Sequence, residues 1–315
     1  MDSQFNQVIG DFMEKNYSVF IGDVALDEYY RTPRWPGIAD KVEVETMEAI
    51  PGGMIANAAC VYASMGNKVK FCTTLKHSAT TSFLLEDLEK AGIDTSMTIY
   101  NENLADSKTM IFLTEDEHTI FIPILHVDRI EINEEQLEIL KGAKYIYSTC
   151  GNLNLISMGD RKWPELAETI RENGTRIVID YDVDYERNGD DNRFRNVDIG
   201  FFNETGFNSV RADRTPEEEI RHLKELGMQI IVVTLAEKGC VIYEGENIYE
   251  IPGRKVEVAD VTGAGDTFCS SFISALEEKG IYEAGRFANA AASICVSKMG
   301  ARAGAVGKEE VEKLL

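Results

Sequence analysis

Short apolar runs and segments of helical period alternate along most of this chain. Tyr17 to Ile21 is apolar and runs into Gly22-Asp23, which reads as a strand end. Tyr29-Tyr30-Arg31 and Val42 to Met47 alternate in polarity around a turn-like Pro33 to Asp40. Alternation predicts half-buried strands, and their place before the first long helix predicts a small sheet projecting from the main body. Pro51-Gly52-Gly53 opens an Ala-rich helix, Met54 to Met65, closed by Gly66. A strand at Val69 to Thr73, a helix at Thr81 to Lys90 and short strands at 97–99, 109–113 and 119–122 follow.

Strands and helices then alternate: helix 134–140, strand 145–147, helix 163–171, strand 176–179, strand 199–202, helix 216–226, strand 230–234. Val241 to Tyr243 and Ile248 to Ile251 predict a hairpin. Val256 to Val258 reads as a strand end, followed by helices at 264–278, 282–298 and near 308–314. Repeated strand–helix units predict an α/β fold, a mostly parallel sheet covered on both faces. Ligands in such sheets bind at the carboxyl ends of the strands, where Gly22-Asp23, Asp180, Asn203 and Thr234 fall.

Composition narrows the function classes. The chain has 315 residues, 44% hydrophobic and 27% charged, with a net charge of −22. Such a surface repels nucleic acid and anionic membranes, so neither is an expected partner. No apolar run approaches the roughly 20 residues of a membrane span. Six scattered cysteines form no Cys-x-x-Cys pair, so metal-ligand spacing is absent; Cys60, Cys269 and Cys295 fall in apolar helical patterns and read as small core residues, and a reducing cytoplasm fits. Met1 to Asn16 has neither the basic nor the apolar region of a signal peptide. The four histidines stand apart in sequence and read as surface or loop residues.

The chemistry concentrates in Asp260-Val261-Thr262-Gly263-Ala264-Gly265-Asp266-Thr267, directly before a helix. Glycines at a helix start leave backbone N–H groups and the positive end of the helix dipole open to an anion. Gly-Ala-Gly also reads as a plain turn and Asp266 as a cap. A carboxylate beside a bound phosphate, however, can take a proton from an attacking hydroxyl, which points to phosphoryl transfer. Phe268 stands where a dinucleotide fingerprint needs its third glycine, and the chain has no Walker A or Gly-x-Ser-x-Gly sequence.

Three blocks, Gly22 to Asp27, Gly52 to Asn57 and Asp260 to Asp266, in this order and separation, resemble the ribokinase-like (PfkB) carbohydrate kinase family. The resemblance implies a three-layer α/β/α sandwich occupying residues 1–315, with lid segments at about 28–50 and 97–122. It implies ATP, Mg²⁺ and transfer of the γ-phosphate to a hydroxyl of a sugar or sugar derivative in the cytoplasm. Asp266 is then the general base, and the backbone of Gly263, Ala264 and Gly265 is the anion hole. Asp27, Gly52, Gly53 and Asn57 hold the acceptor. Asn203, Thr234, Ala236, Gly239 and Asn289 contact the nucleotide. Asp260 and Thr262 are the residues for a monovalent cation such as K⁺, and lid strands commonly pair two subunits. A nucleoside kinase of the same fold, with walls from Tyr29, Tyr30 and Trp35, and a binding protein that has lost catalysis are the alternatives.

Several residues depart from the family pattern. Gly206 replaces the glutamate of Asn-x-x-Glu after Asn203, and the neighbouring Glu204 is expected on the opposite face of an extended segment. Ala236 stands where glycine is frequent, and Met54 replaces the lysine of ribokinases proper. Asp180, Asp182 and Asp184 follow a strand, and Asp182 is placed to tune Mg²⁺ or nucleotide binding. Arg31, Arg34 and Lys41 near the lid, and Arg302 in the Gly300 to Gly304 loop, are candidates for an acidic group on the acceptor.

Overall fold

A computed structural model describes residues 15–114, 117–181 and 191–315. Asp182 and Asp184 lie outside the described residues. Nine strands form the central sheet: β1 (Tyr17–Ile21), β2 (Lys68–Cys72), β3 (Ile93–Asp94), β4 (Tyr145–Thr149), β5 (Arg176–Asp180), β6 (Ile199–Asn203), β7 (Ile230–Thr234), β8 (Gly239–Glu244) and β9 (Asn247–Pro252). Their order is β9-β8-β7-β6-β5-β4-β1-β2-β3. The seven strands β1 to β7 pair in parallel, and β8–β9 is the expected hairpin added antiparallel to β7.

The two-residue period of a strand sends alternate apolar side chains to opposite faces. Phe20, Tyr145, Tyr147, Val178, Phe201 and Val232 join one core, under helices Met54–Ser64, Ala264–Lys279 and Ile281–Val296. Val19, Ile21, Ile146, Ile177, Ile179 and Val233 join the other, under helices Glu134–Gly142, Trp163–Glu172 and Pro216–Glu225. This is the α/β/α sandwich the pattern predicts. All six cysteines are free and buried, as expected for those assigned to the core.

A second sheet of five strands leaves the body directly after β1. Ala25–Arg31 is its centre, with Lys108–Leu113 parallel on one side and Glu45–Thr46 and Ile50–Gly52 antiparallel. His118–Phe121 closes it as a hairpin with Lys108–Leu113. The alternating stretch Val42 to Met47 supplies only two paired residues, because its side chains are largely exposed and no core selects them. Ile99–Tyr100 pairs with Thr74–Leu75, apart from this sheet.

Two local expectations are corrected. Val256 to Val258 is exposed coil: β9 ends at Pro252, and among the described residues the segment pairs with no strand. The residues after Asn203 are helical (Glu204–Arg211): the Asn203 side chain accepts the Gly206 N–H at 2.6 Å, an N-cap that turns the chain at once. Glu204 therefore sits in a first helical turn, 3.8 Å from the Lys238 ammonium, not on an extended segment.

Candidate functional site

The Ala264–Lys279 helix starts without any side-chain cap. Gly263 precedes it at φ 77, a left-handed conformation that glycine adopts without strain. A Cβ there would collide with the Ala301 carbonyl, so the 300–305 loop packs directly on this turn. Gly265 is the opposite case: a Cβ on it would meet nothing within 4 Å. The first-turn N–H groups of a helix have no intrahelical partner. Here the Ala264 N–H turns back to Val261 O at 3.3 Å, while the turn around Gly265, which also carries Asp266, borders unfilled space.

Asp260 ties this turn together. Its carboxylate accepts the Thr262 N–H (2.9 Å), the Thr262 hydroxyl (2.7 Å) and the Gly300 N–H (2.9 Å). Partial burial works to raise its pKa, but these donors outweigh burial and hold it below the usual aspartate range. Asp260 and Thr262, expected at a cation, thus bond each other.

The second group of residues comes from the junction of β1, the small sheet and the Met54–Ser64 helix. Gly53 precedes that helix, and Asp23 supplies the cap from a distance, accepting the N–H of Met54 (2.8 Å) and of Ile55 (3.4 Å). Desolvation raises the Asp23 pKa against these bonds. Asp27 lies over Gly52, where a Cβ would occupy the position of its carboxylate. Burial pushes the Asp27 pKa up to about 6, with the nearby Asp23 charge adding, while a Thr109 hydrogen bond and the Arg302 charge oppose.

Asn57 is not a surface amide. It is 6% exposed, and its Nδ2 stands 3.5 Å from the Asp266 carboxylate. Its Oδ1 accepts from Arg302 Nε at 3.0 Å, and Arg302 is also ion-paired with Asp87 of the Ala79–Lys90 helix. Asp266, Asn57, Asp27, Gly52 and Gly53 are thereby gathered at one place. Asp87 and Thr109 belong to the same surroundings, and no sequence signal pointed to them.

The nucleotide candidates form a neighbouring row. Asn203 pairs beside Thr234 across β6 and β7, and Thr234 pairs with Cys240, next to Gly239. The 235–239 turn is held by the Gly253 N–H donating to Lys238 O (2.9 Å). Asn289 donates to Pro252 O at 3.2 Å, fixing the Ile281–Val296 helix to the same hairpin end. At its far end that helix accepts the Ala259 and Asp260 N–H groups on Val296 O (2.7 and 3.2 Å). Asn289 and Val296 are about 10 Å apart along the helix axis. Ala236 has φ 50, so the backbone here is one that favours glycine, and the alanine is strained.

A mostly parallel α/β sandwich with an uncapped helix start and a carboxylate in that turn is a frame on which phosphate chemistry can be built. The comparisons make the class specific. The pfkB family carbohydrate kinase profile matches residues 15–306, and the chain belongs to that family. It is 27% identical to the ribokinase of Lactococcus lactis over 306 residues, 94% of this chain and 95% of that protein. It is 24% identical to fructokinase-2 of Oryza sativa subsp. japonica over 310 residues, 91% of this chain and 90% of the relative. The structure of Arabidopsis thaliana ribokinase complexed with ribose and ATP superimposes with a TM-score of 0.83. It is 23% identical, covering 95% of this chain and 98% of that one. Among the described residues no helix is long and apolar enough to cross a membrane.

Proposed function

We propose that this protein transfers the γ-phosphoryl group of ATP to a hydroxyl of a sugar or sugar derivative. The observation that carries the proposal is the turn at Gly263 to Asp266: a helix start without a side-chain cap, free space over Gly265, and a carboxylate beside Asn57. The phosphoryl group would sit on the Gly263, Ala264 and Gly265 amides. Asp266 would take the proton of the attacking hydroxyl as that oxygen bonds phosphorus and the bond to ADP breaks. Asp27 would accept hydrogen bonds from acceptor hydroxyls, with Asn57 and the close backbone of Gly52 and Gly53 completing the pocket. ATP would lie along Asn203, Thr234, Ala236, Gly239 and Asn289.

Mg²⁺ would neutralise phosphate charge when bound. It would be carried chiefly by the phosphates and water. A K⁺ ion at Asp260 and Thr262 would act behind the anion hole, and a rate that rises with K⁺ at constant ionic strength tests it.

The acceptor end favours neutral hydroxyls. Arg31 and Arg34 are paired with Glu45 and Asp40 at 3.7 and 2.5 Å, and Arg302 is held by Asp87 and Asn57. We further infer that the small sheet forms a lid whose exposed Trp35, Ile120 and Phe121 pair two subunits. The first test is ADP release with ATP and Mg²⁺ against sugars, sugar phosphates and nucleosides, with Asp266→Asn in parallel. Turnover with a sugar, lost by roughly a hundredfold or more in the variant, is expected. Full turnover in Asp266→Asn removes the base assignment, and turnover with nucleosides alone moves the acceptor class.

A further inference from the structure

We propose that Arg302, braced by Asp87, is a positioning residue that sets the Asn57 amide so that its NH₂ group faces Asp266; the proposal rests on Asp266 being the base. A guanidinium nitrogen only donates, so the Asn57 atom 3.0 Å from Arg302 Nε must be the carbonyl oxygen. The amide nitrogen is then forced to the other side, 3.5 Å from Asp266 Oδ2. Rotated by half a turn, the amide would set its oxygen against a carboxylate oxygen, two acceptors with no proton between them. The guanidinium therefore chooses the rotamer that supports the ionised base.

The brace spans three elements that are remote in sequence. Asp87 comes from the Ala79–Lys90 helix, Asn57 from the Met54–Ser64 helix and Arg302 from the loop that packs on Gly263. Arg302 Nη2 is closed to solvent and has no partner among the described residues. That nitrogen is turned into the protein, and the other two are engaged by Asn57 and Asp87. The 3.5 Å separation of Asn57 and Asp266 is long for a hydrogen bond, and such contacts tighten when substrate closes the site.

A double-mutant cycle tests this on the whole protein, with ATP and the acceptor that the ADP-release panel selects. Arg302→Met, Asn57→Ala and the double variant are compared for kcat and KM, with Asp266→Asn alongside. Arg302→Met is expected to lower kcat roughly tenfold, the lower end for a hydrogen bond to a charged group, with KM for ATP unchanged. In the Asn57→Ala background the same substitution should cost less than about twofold, because its intermediary is gone. Equal losses in both backgrounds, or a change confined to the acceptor KM, overturn the proposal. If Arg302→Met does not fold, Asp87→Asn enters the same cycle, with the same pattern expected at smaller amplitude. Undiminished turnover in Asp266→Asn overturns the base and with it this proposal. Collapse of Asp266→Asn beside an unchanged kcat in Arg302→Met overturns the brace alone.

Discussion

Asp27 is expected to weaken the fold at neutral pH while serving the acceptor, and Asp27→Asn separates the two effects. Its pKa rises from the ordinary 3.8 to about 6, chiefly because burial disfavours the charge. At about 1.4 kcal/mol per pH unit, ionising it in the folded state costs about 3 kcal/mol. Asp27 is only partly buried and water screens part of this, so about 1–2 kcal/mol is the working figure. The sign is unusual for a carboxylate. The folded state holds its proton more tightly than the unfolded state, so the penalty is complete above about pH 6 and is relieved as pH falls toward 3.8.

Asparagine keeps the shape and one acceptor oxygen for the Thr109 hydroxyl but carries no charge. Asp27→Asn should therefore raise stability by about 1–2 kcal/mol at pH 8, and by roughly half that at pH 5. The sequence pI of 4.6 sets the lower limit of the titration, since a chain without net charge tends to precipitate. Urea unfolding at pH 8 and pH 5 measures the difference through the midpoint. The acceptor KM should move the other way, rising by roughly tenfold or more as charge-assisted hydrogen bonds to hydroxyls are lost. A variant less stable than the parent at both pH values, or a gain that does not change with pH, would refute the assigned cost of burial.

Four further outcomes follow from backbone geometry and the exposed aromatic face. Ala236→Gly removes a methyl from a left-handed backbone and should leave the melting temperature level or raise it by up to about 2 °C; a fall beyond about 1 °C contradicts the strain. Gly263→Ala should destabilise by about 2 kcal/mol or more, since it adds both φ strain and a collision with Ala301. Gly265→Ala should melt within about 1 °C of the parent yet lose roughly tenfold or more in kcat/KM for ATP, its methyl standing in the phosphate space; parental kinetics would place the phosphate elsewhere. Light scattering should give about twice 35.2 kDa for the parent and the single-chain mass for Trp35→Ser with Phe121→Ser, whereas an unchanged mass excludes the small sheet as the dimer surface.

Local signals were legible and remote ones were not. The Asp260 to Asp266 turn could be read because a glycine turn and the helix after it are adjacent in sequence. The sheet could be read because strand alternation divides Phe20 from Val19 and Ile21 between two cores. The contact between Arg302 and Asn57 joins positions 245 residues apart and leaves no periodic trace. Val256 to Val258 carries a strand's alternation without a strand paired to it among the described residues. The helix after Asn203 had a visible cap residue, but the expected extended motif at that position concealed it.

The placement of charge explains how so acidic a chain can take a nucleotide. A net charge of −22 works against binding any polyphosphate at long range. The proposed answer lies in backbone rather than side chains: amides at an uncapped helix start act over a few ångströms, where bulk charge is screened. Arg31, Arg34 and Arg302 are each ion-paired with a carboxylate, and Asp27, at the proposed acceptor end, suits donors rather than anions. Asp27 and Asp266 then need opposite surroundings within one site. Asp27 is desolvated enough that its charge costs stability, whereas Asp266 lies beside an amide whose orientation a part-buried guanidinium fixes. One end of the site would read hydroxyls with a carboxylate poorly solvated until substrate arrives, and the other would remove a proton with a carboxylate already supported.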